Sequence, residues 1–112
     1  MQNPSAPTIF LASSSPYRRG LLDRFLNSYE TVTPGVDESN AAGLPAAELA
    51  THLARKKAEA IAINARQALI IGADQLAVLD DRVLGKPGNH QKAVEQLLAA
   101  SGKAVTFYTA VC

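Results

Sequence analysis

Four apolar residues, Ile9 to Ala12, run into three consecutive hydroxyls, Ser13 to Ser15, then into Pro16 and the pair Arg18-Arg19. Beyond them Leu21, Leu22, Phe25 and Leu26 recur at helical spacing. The pattern predicts a strand over Thr8 to Ala12 and a helix from Pro16 to about Asn27, with Ser15 as its N-cap and proline in its first turn. Tyr29 to Thr33 reads as a short strand closed by Pro34-Gly35, and Val36 to Gly43 is a polar loop bearing Asp37 and Glu38. Pro45 opens a long helix, rich in alanine and leucine, that reaches about Ala65. Ala68 to Ala73 is a buried-type strand. Gln75–Leu79 and Arg82–Leu84 form a hairpin about Asp80-Asp81, although neither turn residue is glycine. Gly85 to Gly88 is a loop, and Asn89 caps a third helix that Gly102 ends. Val105, Phe107, Thr109 and Val111 then alternate with Thr106, Tyr108 and Ala110 as a last strand. The order β-α-β-α-β-β-α-β predicts an α/β layer structure with a mixed β-sheet flanked by helices. No repeat, linker or low-complexity segment divides it, so residues 1–112 are expected to form a single domain.

Composition narrows the class. At 47% hydrophobic and 19% charged, the chain has the balance of a globular domain rather than a disordered one. A formal net charge of +1 argues against a nucleic-acid or membrane-surface partner, and no apolar run is long enough to span a bilayer. Met1 to Pro7 lack the features of a secretory signal, and Cys112 is the only cysteine, so a cytoplasmic location is expected. His52 and His90 are isolated, which leaves no Cys/His cluster for structural zinc. The chain stops inside an apolar strand, the pattern expected of a truncated product.

Three places concentrate chemistry. The junction at Ser13–Arg19 offers hydroxyls, backbone N–H groups at a helix start and guanidinium forks, a set that suits an anion; it is equally the pattern of a capped helix with two surface arginines. Asp74 stands in the most apolar part of the chain, between Ile70-Ile71 and Leu76–Leu79, where a carboxylate is costly unless paired or bound to a cation. The pattern puts it where a strand should end, as a site residue or as a turn aspartate bonded to backbone. Lys57 follows Leu53 and precedes Ile61 at four-residue spacing, so it lies on the inward stripe of its helix, either snorkelling to solvent or aimed into a site. Lys86, in Gly-Lys-Pro-Gly, lies in a loop that permits close backbone approach to a ligand. If the Asp37-Glu38 loop folds towards Asp74, the carboxylates would hold Mg²⁺ or Mn²⁺ with a polyphosphate.

The succession Leu-Ala-Ser-x-Ser-Pro-x-Arg-Arg, Val-Asp-Glu, Leu-Ala-Arg-Lys-Lys-Ala, Gly-Ala-Asp-Gln, Gly-Lys-Pro, Ala-Ser-Gly and Thr-Phe-Tyr-Thr resembles the Maf family of nucleoside triphosphate pyrophosphatases, historically linked to septum formation. The resemblance runs from about Ile9 to the end of the chain. It implies a Maf/ITPase-like fold, and hydrolysis of a nucleoside triphosphate to the monophosphate and pyrophosphate by a metal-assisted water. By the same resemblance Ser13 and Arg18 match the phosphate-binding hydroxyl and arginine, with Ser15 and Arg19 beside them. Glu38, Lys57, Asp74 and Lys86 match the acidic and basic residues of catalysis, and Asp74 and Glu38 are the implied ligands of a divalent cation. The partner is a small-molecule nucleotide, and a homodimer is compatible with the pattern.

Two positions speak to the base. Tyr17 and Gln75 stand where many relatives have arginine and threonine, and resemble the subgroup acting on 7-methyl-GTP rather than on dTTP or UTP. Methylation at N7 makes guanine cationic, so an aromatic face gains a cation–π term, and glutamine both donates to and accepts from a base edge. That subgroup commonly places tryptophan at the position of Tyr17, so the match departs there. Family members continue well past the position of Cys112. The chain is therefore expected to be the N-terminal part of the domain, lacking a second lobe with a glycine-rich segment and a further glutamine. An enzyme is the first expectation; a nucleotide-binding or septum-related regulatory protein, or an inactive relative, is the other.

Overall fold

A single 12-residue strand, Ala68–Leu79 (β3), is the spine of the molecule. The computed structural model describes residues 7–37, 43–62 and 67–112. Around β3 it places β1 (Thr8–Ala12), α1 (Pro16–Leu22), β2 (Glu30–Val32), α2 (Ala46–Ala62), β4 (Arg82–Leu84), α3 (His90–Ala100) and β5 (Thr106–Val111). The element types and their order follow the hydrophobic pattern, and the sheet is mixed. β1 runs parallel to β2 on one side and to the first part of β3 on the other. β4 and β5 pair antiparallel with the second part of β3, on its opposite edges.

Two elements differ from the pattern. The apolar run around Asp74 forms no turn: antiparallel pairing with β5 from Ala73 to Val78 carries β3 straight through, so Asp74 lies mid-strand rather than at a strand end. The first helix closes at Leu22, short of Asn27. The amides of Arg24 and Phe25 bond to the carbonyls of Leu21 and Leu22 three residues back, which tightens the chain out of helix. Phe25 is 80% exposed, so packing does not reward a longer helix. The hairpin at Asp80-Asp81 forms as expected. Both aspartates take positive φ, 49° and 63°, the geometry a two-residue connection requires.

Among the described residues the buried apolar ones are Leu11, Ala12 and Leu79 on the strands and Ala50, Leu53, Ala54 and Ala58 on α2, which packs on β3. Small side chains on α2 let it approach β3 closely. A Cβ at Gly72 would collide with the carbonyl of Ala54 and reach within 2.8 Å of the Ala58 amide nitrogen. The other face of the sheet is open, with Leu69, Phe107 and Val111 exposed. α3 likewise exposes Val94, Leu97 and Leu98, and no helix among the described residues is long and apolar enough to cross a membrane.

What positions the site is a gap beside β3. β1 stays in register with it up to the pair Ala12↔Gly72, and β4 joins the same edge only at Leu84↔Ala77. Both strands turn away at their near ends. The Ser13 amide bonds back to the Leu11 carbonyl, and the Gly85 carbonyl is taken by Gln96 Nε2 of α3 at 2.7 Å. Diverging connections of this kind make the crevices in which open α/β sheets bind ligands.

Candidate functional site

Asp74 shares its face of β3 with Gly72, two residues earlier, and so points at α2. There Lys57 meets it: Nζ donates to Asp74 Oδ1 at 2.7 Å. The side chains are 12% and 8% exposed, so the pair is desolvated and held tightly. The inward position of Lys57 on the α2 stripe thus brings its ammonium to Asp74 rather than to solvent. The second carboxylate oxygen, Asp74 Oδ2, is buried and has no hydrogen-bond partner. A buried carboxylate oxygen left unpaired is costly, and a cation, a bound water or a ligand hydroxyl would satisfy it.

Ser13 follows the last β1 residue paired with β3, where β1 leaves the sheet, and it is buried. Its Oγ accepts from the Ser15 amide at 3.0 Å and, weakly, from Arg18 Nη1 at 3.5 Å. Ser15 Oγ accepts from the Arg18 amide at 3.3 Å, which is the N-cap bond of α1. The cap therefore employs the Ser15 hydroxyl, and α1 has only seven residues. The groups that remain at this junction are the Ser13 hydroxyl and the Arg18 guanidinium.

The remaining candidates are placed as follows. Arg19 turns away from Ser13 to β2, donating from Nη2 to Thr31 Oγ1 at 2.7 Å. The Tyr29 hydroxyl donates its one proton to Asp23 Oδ1 at 2.6 Å and lies 3.0 Å from the Arg19 backbone carbonyl. The Tyr29 hydroxyl titrates above its ordinary value of 10.0, first because its neutral form donates to Asp23, then through burial and the Asp23 charge, with Arg19 opposing. Tyr17 is 85% exposed. Gln75 is exposed and adjoins Asp74 in β3, so its side chain leaves the opposite face of the sheet. Lys86 lines an open groove of about 460 Å³ between β4 and α3, together with Arg82, Lys92, Glu95 and Gln96. That groove contains neither Asp74 nor Ser13. Glu38 lies outside the described residues.

Sequence pattern alone missed three supports: Gly72 at the α2 crossing, Gln96 on the Gly85 carbonyl and Tyr29 on α1. Only Gly72 left a signal, a glycine inside an apolar strand facing the Ala54/Ala58 pair one helical turn apart. Among the described residues no group of three or more His, Cys, Asp or Glu converges. The orphaned Asp74 Oδ2 nevertheless fits one place in the oxygen shell of a small divalent cation, which keeps several waters.

The chain matches known proteins along almost all of its length. A family model described as "Maf-like protein" matches residues 8–112. A "7-methyl-GTP pyrophosphatase" of Cupriavidus metallidurans is 48% identical over 112 residues, which is 100% of this chain and 56% of the relative. A protein of the same name from Pseudomonas aeruginosa is 52% identical over 103 residues, 92% of this chain and 54% of the relative. Another, from Alkalilimnicola ehrlichii, is 51% identical over 105 residues, 94% of this chain and 53% of the relative. The chain spans about half the length of the curated relatives it matches. The match over residues 8–112 means that the chain belongs to the Maf family.

Proposed function

We propose that this chain carries the polar half of a nucleoside triphosphate pyrophosphatase site whose substrate is 7-methyl-GTP, releasing the monophosphate and pyrophosphate. The observation that carries this reading is the buried Lys57–Asp74 pair with Oδ2 left unpartnered. Lys57 fixes Oδ1, so Oδ2 is the oxygen that faces a reacting water or a cation. Asp74 orients the water and accepts its proton as the oxygen attacks the α-phosphorus, and the bond to the bridging oxygen of the leaving pyrophosphate breaks. Arg18 and the Ser13 hydroxyl hold phosphoryl oxygens, and Lys86 offsets their charge. Asp74, with Glu38, would hold a divalent cation, which when bound supplies charge stabilisation to the phosphoryl oxygens. The names of the relatives and the exposed Tyr17 ring support the base assignment, because a cationic N7-methylated guanine stacks on an aromatic face more strongly than a neutral base.

The test is pyrophosphate release by this chain from 7-methyl-GTP, GTP, dTTP and UTP with Mg²⁺ or Mn²⁺, beside Asp74→Asn. Release should be fastest from 7-methyl-GTP, and Asp74→Asn should lower it by about 10²–10⁴-fold, the range for a lost general base. No release from any triphosphate sinks the enzyme reading for this chain; equal rates on 7-methyl-GTP and dTTP sink the substrate assignment.

A further inference from the structure

α3 turns its polar stripe, not its leucines, towards the sheet. Lys92, Glu95, Gln96 and Ala99, at the i, i+3, i+4 and i+7 spacing of one helix face, line the groove against β4. Val94, Leu97 and Leu98 stand exposed instead. Burying the leucines would gain more from water, so this orientation costs packing. Two polar ties hold it, Gln96 Nε2 on the Gly85 carbonyl and Lys103 Nζ, just past the helix, on Asp80 Oδ2, both at 2.7 Å.

The groove collects cations from two directions. Arg82 comes from β4, Lys86 from the loop after it and Lys92 from α3. Among the described residues none of the three side chains has an ion-pair or hydrogen-bond partner, although Glu95 lines the same groove. Three cations against one carboxylate give the groove a net charge of +2, where the whole chain carries +1. Lys92 is also placed against the local field. It stands in the first turn of α3, which holds no acidic residue, and a cation there opposes the helix dipole. An anion between Lys92 and the β4 wall relieves both the mutual repulsion and the dipole.

The free groups decide which anion. Gln96 Nε2 is spent on the Gly85 carbonyl, so what the groove offers is cationic donors. Their complement has several acceptor oxygens and more than one charge, and so can meet both walls at once. An oligophosphate has both properties; a monocarboxylate reaches one wall only. We propose that the groove between β4 and α3 is a second anion site, which binds an oligophosphate through Arg82, Lys92 and Lys86 and clamps α3 to β4. It is distinct from the buried pair, since neither Asp74 nor Ser13 lines it. Arg82 and Lys92 take no part in the reaction set out above, so the groove binds whether or not the chain hydrolyses a nucleotide.

The experiment is amide NMR on the ¹⁵N-labelled chain, titrated with inorganic pyrophosphate in low salt without divalent cations. Amides of residues 82–86 and of the first turn of α3 should shift with one apparent affinity, and α3 amides should exchange about threefold more slowly or better once the site is filled. Arg82→Gln combined with Lys92→Gln should weaken this response at least about tenfold. Arg24→Gln combined with Arg55→Gln removes the same charge outside the groove and should change the affinity by less than about twofold. Glu95→Gln should strengthen binding by about twofold or more, a gain that a damaged fold does not produce. Absence of shifts at 82–86 and α3 in millimolar pyrophosphate overturns the proposal. Equal weakening by the two double variants overturns it too, because net charge alone is then at work, as does weaker binding in Glu95→Gln. A response confined to Ser13 and Arg18 overturns it and leaves the nucleotide reading standing.

Discussion

Lys57 and Asp74 are a pair in which each residue makes the other tolerable. With both side chains nearly buried, removing the ammonium leaves a carboxylate with neither oxygen satisfied. Lys57→Met should therefore lower stability by about 3–5 kcal/mol in urea unfolding, while Lys57→Met combined with Asp74→Leu should recover most of that loss. If Lys57→Met is tolerated, the pair is not desolvated as described. The same orphaned oxygen predicts a cation effect. Millimolar Mg²⁺ should raise the melting temperature of the wild type and leave Asp74→Asn unchanged, since a ligand that binds only the folded state stabilises it by mass action. Tyr29 makes a different kind of prediction. Its folded-state pKa is raised, so its contribution to stability is complete below its unfolded value of 10.0 and is lost as pH rises through the folded value. The stability difference between wild type and Tyr29→Phe should shrink as pH climbs from about 8 to 11. A difference that does not change with pH would mean that the hydroxyl bond to Asp23 contributes nothing.

At the scale of elements, the crossing of α2 over β3 sets the site, because it brings Lys57 to Asp74. Gly72 is where the two backbones come closest. Gly72→Ala should cost about 1–3 kcal/mol by overpacking, since the atoms met are main chain and cannot swing aside. It should also lengthen the Lys57–Asp74 contact, and so lower the pyrophosphate release proposed above. What the sequence made legible here was incongruity: an aspartate among isoleucines and leucines, and a lysine on an alanine–leucine stripe. Burial of a charge is a local signal, so both stood out without a fold. The mid-strand position of Asp74 was not legible, because it depends on pairing with β5, which begins more than thirty residues later. The direction of Arg19 was hidden for a similar reason. Two adjacent arginines look alike in sequence, and only the contacts with Thr31 and Tyr29 send one to β2 and leave the other beside Ser13. The gap itself was illegible, because it arises from where two strands stop and no residue type encodes that.

The whole molecule is extended for its length. Its radius of gyration is 16.5 Å, against about 13 Å for a compact chain of this size. The reason is one-sided packing: α2 covers one face of the sheet, while Leu69, Phe107 and Val111 stand exposed on the other. α3 stands off as well, with Leu97 73% and Leu98 69% exposed, and its side-chain tie to the sheet region is Gln96 on Gly85. Exposed apolar area of this extent contributes little to folding and much to association. Leu97→Lys combined with Phe107→Thr should therefore change stability by no more than about 0.5 kcal/mol in urea, as surface substitutions do, because neither side chain leaves a cavity and each replacement suits its element. The same double variant should be more soluble, read as the protein concentration remaining after centrifugation at rising ammonium sulfate. A loss of more than about 2 kcal/mol would contradict the open face directly, since only packed side chains cost that much to truncate.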